Sequence, residues 1–283
     1  MNNDLKREQR SGMTFETEAS PPDVSIVMPA YNAARDIRES IASVLSQTYS
    51  SFELIVVDDA SSDGTVEIVK ALSTEDARVR LLENPVNQGV SFSRNRGMNN
   101  ARGRYLMFLD SDDAWHDDKV ERQVSFMRET ANVVTYMDYL RFDDAEPADA
   151  WPVHAPDRIA FRDLLVSNEI GMLTAAVDRW KVPKLPAFRK QGHEDYLFWL
   201  DLLRGMATQQ AVKVPTSSPA ARYRQRHGSV SSNYLKAALW HWNVLGRQKL
   251  PLHVRILLMF RYLARAVGKR SRLLRQQSAS LAS

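Results

Sequence analysis

At 283 residues, with 44% hydrophobic and 25% charged side chains, the chain suits one large domain with an appendage and has ample material for a core. It contains no cysteine, which excludes disulfides and thiolate metal sites and agrees with a cytoplasmic location. The net charge of +4 is unevenly placed: residues 1–201 carry −11, whereas residues 202–283, with 15 Lys and Arg and no acid, carry +15. A tail this basic should face something negative.

Residues 1–22 are polar and charged, show no apolar signal-peptide core, and are expected to form a disordered or weakly ordered arm. No apolar run approaches the roughly 20 residues of a transmembrane helix. Residues 24–28 (Val-Ser-Ile-Val-Met) read as a buried strand, followed by a loop, Pro29-Ala30-Tyr31-Asn32. Ile37, Ile41, Val44 and Leu45 then share one helix face. Residues 54–57 (Leu-Ile-Val-Val) form a second buried strand that runs into Asp58-Asp59-Ala60-Ser61-Ser62-Asp63-Gly64-Thr65. Asp63 and Gly64 read as turn formers, the glycine with φ > 0. Residues 78–82 are a short third strand, and Gln88-Gly89-Val90-Ser91 opens a helix containing Arg94, Asn95 and Arg96.

The apolar run at residues 105–109 (Tyr-Leu-Met-Phe-Leu) follows, then Asp110-Ser111-Asp112-Asp113. Strands alternating with helices at this spacing predict an α/β fold with a mostly parallel central sheet and right-handed crossovers. Ligands bind such sheets beyond the carboxyl ends of the strands, where three polar loops here converge. Carboxylates this crowded repel one another unless a cation neutralises them, and hard oxygen ligands suit Mg²⁺ or Mn²⁺. The alternative is an acidic turn that caps the next helix, a task open to Asp117 and Asp118 as well.

Further on, residues 133–136 and 173–177 read as strands, and residues 143–157, rich in Pro, Ala and Asp, as a flexible surface loop. Glu194 and Asp195 open an aromatic, apolar helix, where they either cap it or do chemistry. Trp199 either stacks on a sugar face or packs in the core with Phe198 and Leu200. His193 reads as a surface or hydrogen-bonded histidine. After Pro251, Ile256, Met259, Phe260, Leu263 and Val267 form an apolar helical line beside a cationic one of Arg261, Arg265, Lys269 and Arg272. Such a helix can lie on an anionic membrane, dock its apolar stripe on the domain, or make a dimer contact. Trp240 and Trp242 fit either packing or interfacial anchoring. No recognised nucleic-acid motif accompanies the charge, so no nucleic-acid partner is expected.

Taken in order, Met-Pro-Ala-Tyr-Asn (28–32), Val-Val-Asp-Asp-Ala-Ser-Ser-Asp-Gly-Thr (56–65), Asn-Gln-Gly-Val-Ser-Phe-Ser-Arg-Asn-Arg-Gly (87–97) and Leu-Asp-Ser-Asp-Asp (109–113) resemble a family 2 glycosyltransferase of the GT-A, Rossmann-like fold, of the bacterial surface-polysaccharide type. The resemblance covers roughly residues 24–232. It implies a nucleotide-sugar donor, a divalent metal (Mn²⁺ or Mg²⁺) and inversion at the anomeric carbon. It places Pro29, Tyr31 and Asn32 along base and ribose, and has Asp59 accept a hydrogen bond from a uracil N–H. Asp58 is then a structural partner of the loop. Arg94 faces donor phosphates or makes an ion pair; Asp110, with Ser111, lies on the ribose side, and Asp112 on the metal. Asp113 is left as metal support, acceptor contact or helix cap.

The resemblance also makes Asp195 the base that deprotonates the acceptor hydroxyl, with Glu194 orienting the site. Residues 222–232 resemble the basic loop that closes the donor site, where either His227 completes the metal's ligands with Asp110 and Asp112 or Arg226 pairs with the pyrophosphate. Thr174 is expected to offer a hydroxyl. No Gln-x-x-Arg-Trp motif of processive synthases is present, so single-sugar transfer is expected. The expected domains are an arm at 1–22, a catalytic domain at 23–232 (nucleotide-binding half 23–130, acceptor half 131–232) and a basic amphipathic helical tail at 233–283. The expected reaction moves a sugar, from UDP in the first instance, to a hydroxyl of a glycan or lipid-linked glycan, with the enzyme cytoplasmic or peripheral at the inner membrane face. Transfer to a polyprenyl phosphate and a catalytically silent binding scaffold are the alternatives. A nucleotidyltransferase is disfavoured because residues 25–32 contain no glycine.

Overall fold

The computed structural model describes residues 20–144, 150–190, 193–208, 210–225 and 234–265. Most of the expected N-terminal arm, residues 226–232 of the expected basic loop, with Arg226 and His227, and the end of the basic tail lie outside these residues.

Strands β1 (Val24–Ala30), β2 (Phe52–Asp58), β3 (Val79–Glu83) and β4 (Tyr105–Phe108) are parallel and lie in the order β3-β2-β1-β4. Burial on both faces explains their near-continuous apolar sequences: every residue of β1, β2 and β4 is buried. The chain moves outward from β1 to β3 and then returns to the other side of β1 as β4. This reversal opens a crevice beyond the carboxyl ends of β1 and β4.

Helices α1 (Ile37–Leu45), α2 (Thr65–Glu75) and α3 (Val90–Asn100) make the crossovers. As the apolar periodicity predicts, α1 buries Ile37, Ile41 and Val44. Helix α3 lies close on β1 because Gly97 faces it. A Cβ there would stand 2.3 Å from Val27 Cγ1.

Past β4 the sheet becomes mixed. Strand β10 (Ala176–Asp178) runs antiparallel to both β4 and β6 (Val134–Tyr136), while β11 (Gln210–Lys213) is parallel to β6 and antiparallel to β9 (Arg158–Ala160). A second sheet, β5-β12-β7-β8, joins Ala114–Trp115, Ala221–Gln225, Tyr139–Asp143 and Trp151–Val153. Helices α4 (Lys119–Thr130), α5 (Phe161–Leu164), α6 (Glu194–Gly205), α7 (Tyr234–Arg247) and α8 (252–265) complete the fold.

Three local expectations change. The run at 173–177 is split: Met172–Thr174 is a 3₁₀ turn, and the strand begins only at Ala176. The supposed loop at 143–157 contains β8, which pairs Trp151–Val153 with β7. Gly64 has φ −73°, an ordinary right-handed value, because Asp63 makes the turn through its side chain: its carboxylate accepts the N–H groups of Thr65 (3.0 Å) and Ala34 (3.1 Å).

Helix α8 docks, but not on the expected stripe. Leu258 is buried, Val254 packs on the core, Arg255 lies 4.1 Å from the Trp242 ring centre, and Tyr262 stacks on His241 at 4.2 Å. These positions fall on one side of the helix, and the opposite side leaves Leu252, Ile256, Leu257, Phe260 and Leu263 exposed. No helix among the described residues is long and apolar enough to cross a membrane.

Candidate active site

The crevice beyond β1 and β4 holds a cavity of about 210 Å³ lined by Pro29, Ala30, Tyr31, Asp59, Val90, Ser93, Asp110, Ser111 and Asp112. Strand ends deliver each part. Residue 59 follows β2, and its backbone N–H bonds Ala30 O at 2.8 Å. Asp110 to Asp112 follow β4, where Leu109 N bonds Val27 O at 3.1 Å. Tyr31 projects from the end of β1 with 53% of its surface exposed, an uncovered ring at the rim.

Asp59 is buried and anchored: Oδ1 accepts Asn84 Nδ2 (2.7 Å) and Gln88 N (3.0 Å), and Oδ2 accepts Gly89 N (2.6 Å). Burial opposes its charge, but these hydrogen bonds outweigh it and hold the carboxyl below its usual pKa. The Ser93 hydroxyl, which lines the cavity with Asp59, adds a further hydrogen bond to this carboxylate. Asn32 does not line the cavity. Its backbone is left-handed (φ 48°), and its Oδ1 accepts Ser62 N at 2.8 Å, so it ties down the β2–α2 loop. Asp58 braces the same loop by accepting Ser61 N at 3.0 Å.

Arg94 is 6% exposed and joins the two sides of the site. Its Nη2 donates to Asp110 Oδ1 at 2.6 Å, its guanidinium lies 5.5 Å from the Phe188 ring centre, and its buried Nε has no partner. Burial opposes the guanidinium charge, but Asp110 foremost, then Asp195 and Glu194, raise its pKa above normal. The acids of α6 therefore act on the same cation as the acidic turn.

Asp113 is buried below that turn. Burial first, then the charges of Asp110 and Asp112, push its carboxyl well above the usual carboxylate range. This turn is fixed from β12: Arg224 N donates to Asp113 Oδ1 (2.9 Å) and Arg224 Nε to Asp112 O (2.9 Å), while its far nitrogens pair with Glu39 and Asp144. Sequence reasoning missed Arg224 because its partners are scattered along the chain. The expected capping role of the acids is not what the structure shows: Asp118 makes no side-chain cap to α4, and Asp117 instead accepts Ser46 Oγ at 2.8 Å.

These residues fit a hard divalent cation. Asp110 and Asp112 provide carboxylate oxygens above Asp113, whose ionisation is disfavoured by burial first and then by these two charges. Among the described residues no three His, Asp or Glu side chains converge into a closed cage. Ions of this class commonly take one or two carboxylates and fill their remaining positions with substrate phosphates.

Glu194 and Asp195 form the first turn of α6, where their charges suit the positive end of the helix, and the N-cap residue His193 makes no side-chain cap. Asp195 is half-buried, and its Oδ2 accepts Asn168 Nδ2 at 3.0 Å. Asn168 was not foreseen, since a lone Asn in an irregular stretch carries no pattern. Trp199 is fully buried, which bears out the core-packing reading over the sugar-platform one. One expectation fails. The Thr174 hydroxyl is buried and donates to Gly171 O at 3.0 Å, so it offers nothing to the site.

A sheet that switches at β1/β4, with an acidic turn at the switch, is the architecture of the GT-A glycosyltransferases, and solved structures agree. TarS of S. aureus, crystallised with UDP-GlcNAc, matches with a TM-score of 0.62 at 18% identity over 85% of this chain and 71% of that one. The mannosyltransferase PcManGT of Pyrobaculum calidifontis, crystallised with GDP-Man and Mn²⁺, matches with a TM-score of 0.60 at 19% identity over 93% and 81%. The chain belongs to glycosyl transferase family 2, whose profile matches residues 25–181, and it is a glycosyltransferase. It is 37% identical to the UDP-Glc:α-D-GlcNAc-diphosphoundecaprenol β-1,3-glucosyltransferase WfgD of Escherichia coli over 79% of this chain and 85% of that protein.

Proposed function

We propose that this enzyme transfers one sugar, with inversion, from a UDP-sugar to a hydroxyl of a lipid-linked glycan in cell-surface polysaccharide synthesis. The observation that carries this reading is the shared placement of Asp59, Asp110, Ser111 and Asp112 around one cavity, with Asp195 near enough to act on Arg94. The activity printed for the E. coli relative, a UDP-sugar donor and a diphosphoundecaprenol-linked acceptor, supports the donor and acceptor classes.

The Asp59 carboxylate receives the uracil N–H, and Tyr31 and Pro29 cover the base. Arg94 holds Asp110 in place beside the ribose, with Ser111 next to it. Asp110 and Asp112, with His227 from outside the described residues, would hold Mn²⁺ or Mg²⁺, which would stabilise the charge on the departing nucleoside diphosphate. Asp195 removes the proton of the attacking hydroxyl, with Asn168 orienting its carboxylate and leaving Oδ1 to take that proton.

The exposed line Leu252, Ile256, Phe260 and Leu263, in a tail without a single acid, lies on an anionic bilayer and brings the enzyme to its acceptor. On this reading the protein is peripheral on the cytoplasmic membrane face.

Calorimetric titration of UDP in Mn²⁺, and again in EDTA, tests the donor reading. Metal-dependent UDP binding is the expected result. Binding of GDP in place of UDP would overturn the donor class, and no nucleotide binding by folded protein would overturn the enzyme reading in favour of a silent scaffold.

A further inference from the structure

A second cavity, about 160 Å³, lies between the start of α6, residues 167–168, α7 and α8. It is small beside the roughly 300–1,000 Å³ of pockets for drug-sized ligands, and so suits a single ring. Ser167, Asn168, His193, Tyr196, His241 and Tyr262 line it, with Ala237. None carries a carboxylate, ammonium or guanidinium, and all but Ala237 carry a polar side-chain atom. The lining therefore disfavours a nucleotide or a fatty chain and favours an uncharged polyhydroxylated ring.

The most informative member is His241. It is 2% exposed, and its Nε2 is buried without a hydrogen-bond partner. Its Nδ1 lies 3.5 Å from the Tyr196 hydroxyl, whose own proton goes to Leu164 O. The Tyr196 oxygen can therefore only accept from His241, which puts the proton on Nδ1 and leaves Nε2 a buried acceptor without a partner, on a residue that lines the cavity. Burial, together with the neighbouring His193, pushes the imidazole down to about 4, so it stays neutral under ordinary conditions. An unfilled buried acceptor calls for a donor, and a sugar hydroxyl or acetamido N–H supplies one. The cavity also adjoins the proposed chemistry: Asn168 stands in its wall and donates to Asp195.

We propose that this cavity is an acceptor subsite that takes an uncharged pyranose, with His241 Nε2 receiving a hydroxyl or amide hydrogen and Asn168 linking the occupied subsite to Asp195. The proposal rests on the transferase reading above. It also explains a second use of α8: Tyr262 walls the subsite while the opposite face of the helix is turned outward, toward the bilayer that carries the acceptor's lipid.

The test is titration of a GlcNAc-α-diphosphoryl-undecyl probe into the full chain, its Ala237→Leu variant, which fills the cavity, and its His241→Phe variant, which keeps the ring and removes the acceptor. Both variants should bind the probe at least tenfold more weakly, while UDP binds each as it binds the parent, which also shows that they are folded. Should either variant fail to bind UDP, Ser167→Leu replaces it as the filling variant. Equal probe affinity in parent and variants, or no binding by the parent, overturns the subsite. Failure of the parent to transfer from any UDP-sugar while probe binding still depends on Ala237 and His241 overturns the donor reading alone.

Discussion

Individual carboxylates in this protein divide by how fully they are paired. Glu53, buried at the far end of the sheet, is saturated: Ser25 Oγ and Arg102 N donate to one oxygen, each at 2.7 Å, and Arg80 and Arg102 reach the other. That is a structural acid. Asp195 has one amide donor on one oxygen, as a base that must receive a proton requires. Asp195→Asn should leave UDP affinity unchanged and cut the transfer rate by about 10²–10⁴-fold, the usual worth of general-base catalysis. Undiminished turnover in that variant would remove the base assignment. At this scale, the residues legible in the sequence were those attached to strand ends, Asp59 and Asp110 to Asp112, because a buried strand announces where its loop must emerge. Asn168, Arg224 and the unfilled nitrogen of His241 were not legible. Their roles come from partners 27, 111 and 45 residues away, which no local pattern encodes.

Among the elements, α3 has the most to position, since it carries Ser93 and Arg94 into the site. Its apolar periodicity is poor, and its seat depends on Gly97 against Val27. Gly97→Ala should therefore destabilise the fold by roughly 1–3 kcal/mol, the usual cost of overpacking. A thermal melt checks this, and Val27→Ala in the same chain should recover part of the loss. An unchanged melting temperature would mean that α3 is not seated as described. The parallel strands and α1 were readable because their patterns are long and regular. Strand β8 was not: it spans three residues, too short for a periodicity, and its pairing comes from β7. Strand β10 was legible within 173–177, but its start at Ala176 was not, since its pairing with β4 and β6 sets it. The apolar stripe of α8 was recognised in the sequence, but which flank docks is set by Trp242, His241 and the core that receive it.

Over the whole chain, residues 1–201 carry −11 and residues 202–283 carry +15. Each Lys or Arg near an anionic surface contributes about 1 kcal/mol of attraction, weakened by salt. The outward residues of α8 add apolar area. Phe260→Ser with Leu263→Ser should release the protein from vesicles containing anionic lipid, while UDP affinity and the melting temperature stay at parent values because both side chains are exposed. Equal vesicle binding by the double variant would defeat the membrane reading. Truncation of the helix is a poorer test, since it would also uncover Leu258 and remove Tyr262 from the second cavity.

Phe188, six residues before α6, exchanges two backbone hydrogen bonds with one side chain: Asn95 Nδ2 donates to Phe188 O and Phe188 N donates to Asn95 Oδ1, each at 2.8 Å. The Phe188 ring also stacks on Phe198 at 4.3 Å, inside α6 itself. The helix that bears Arg94 and the helix that bears Asp195 are thus joined through one aromatic residue, so on the proposed mechanism the cation beside the donor and the base beside the acceptor share a single anchor.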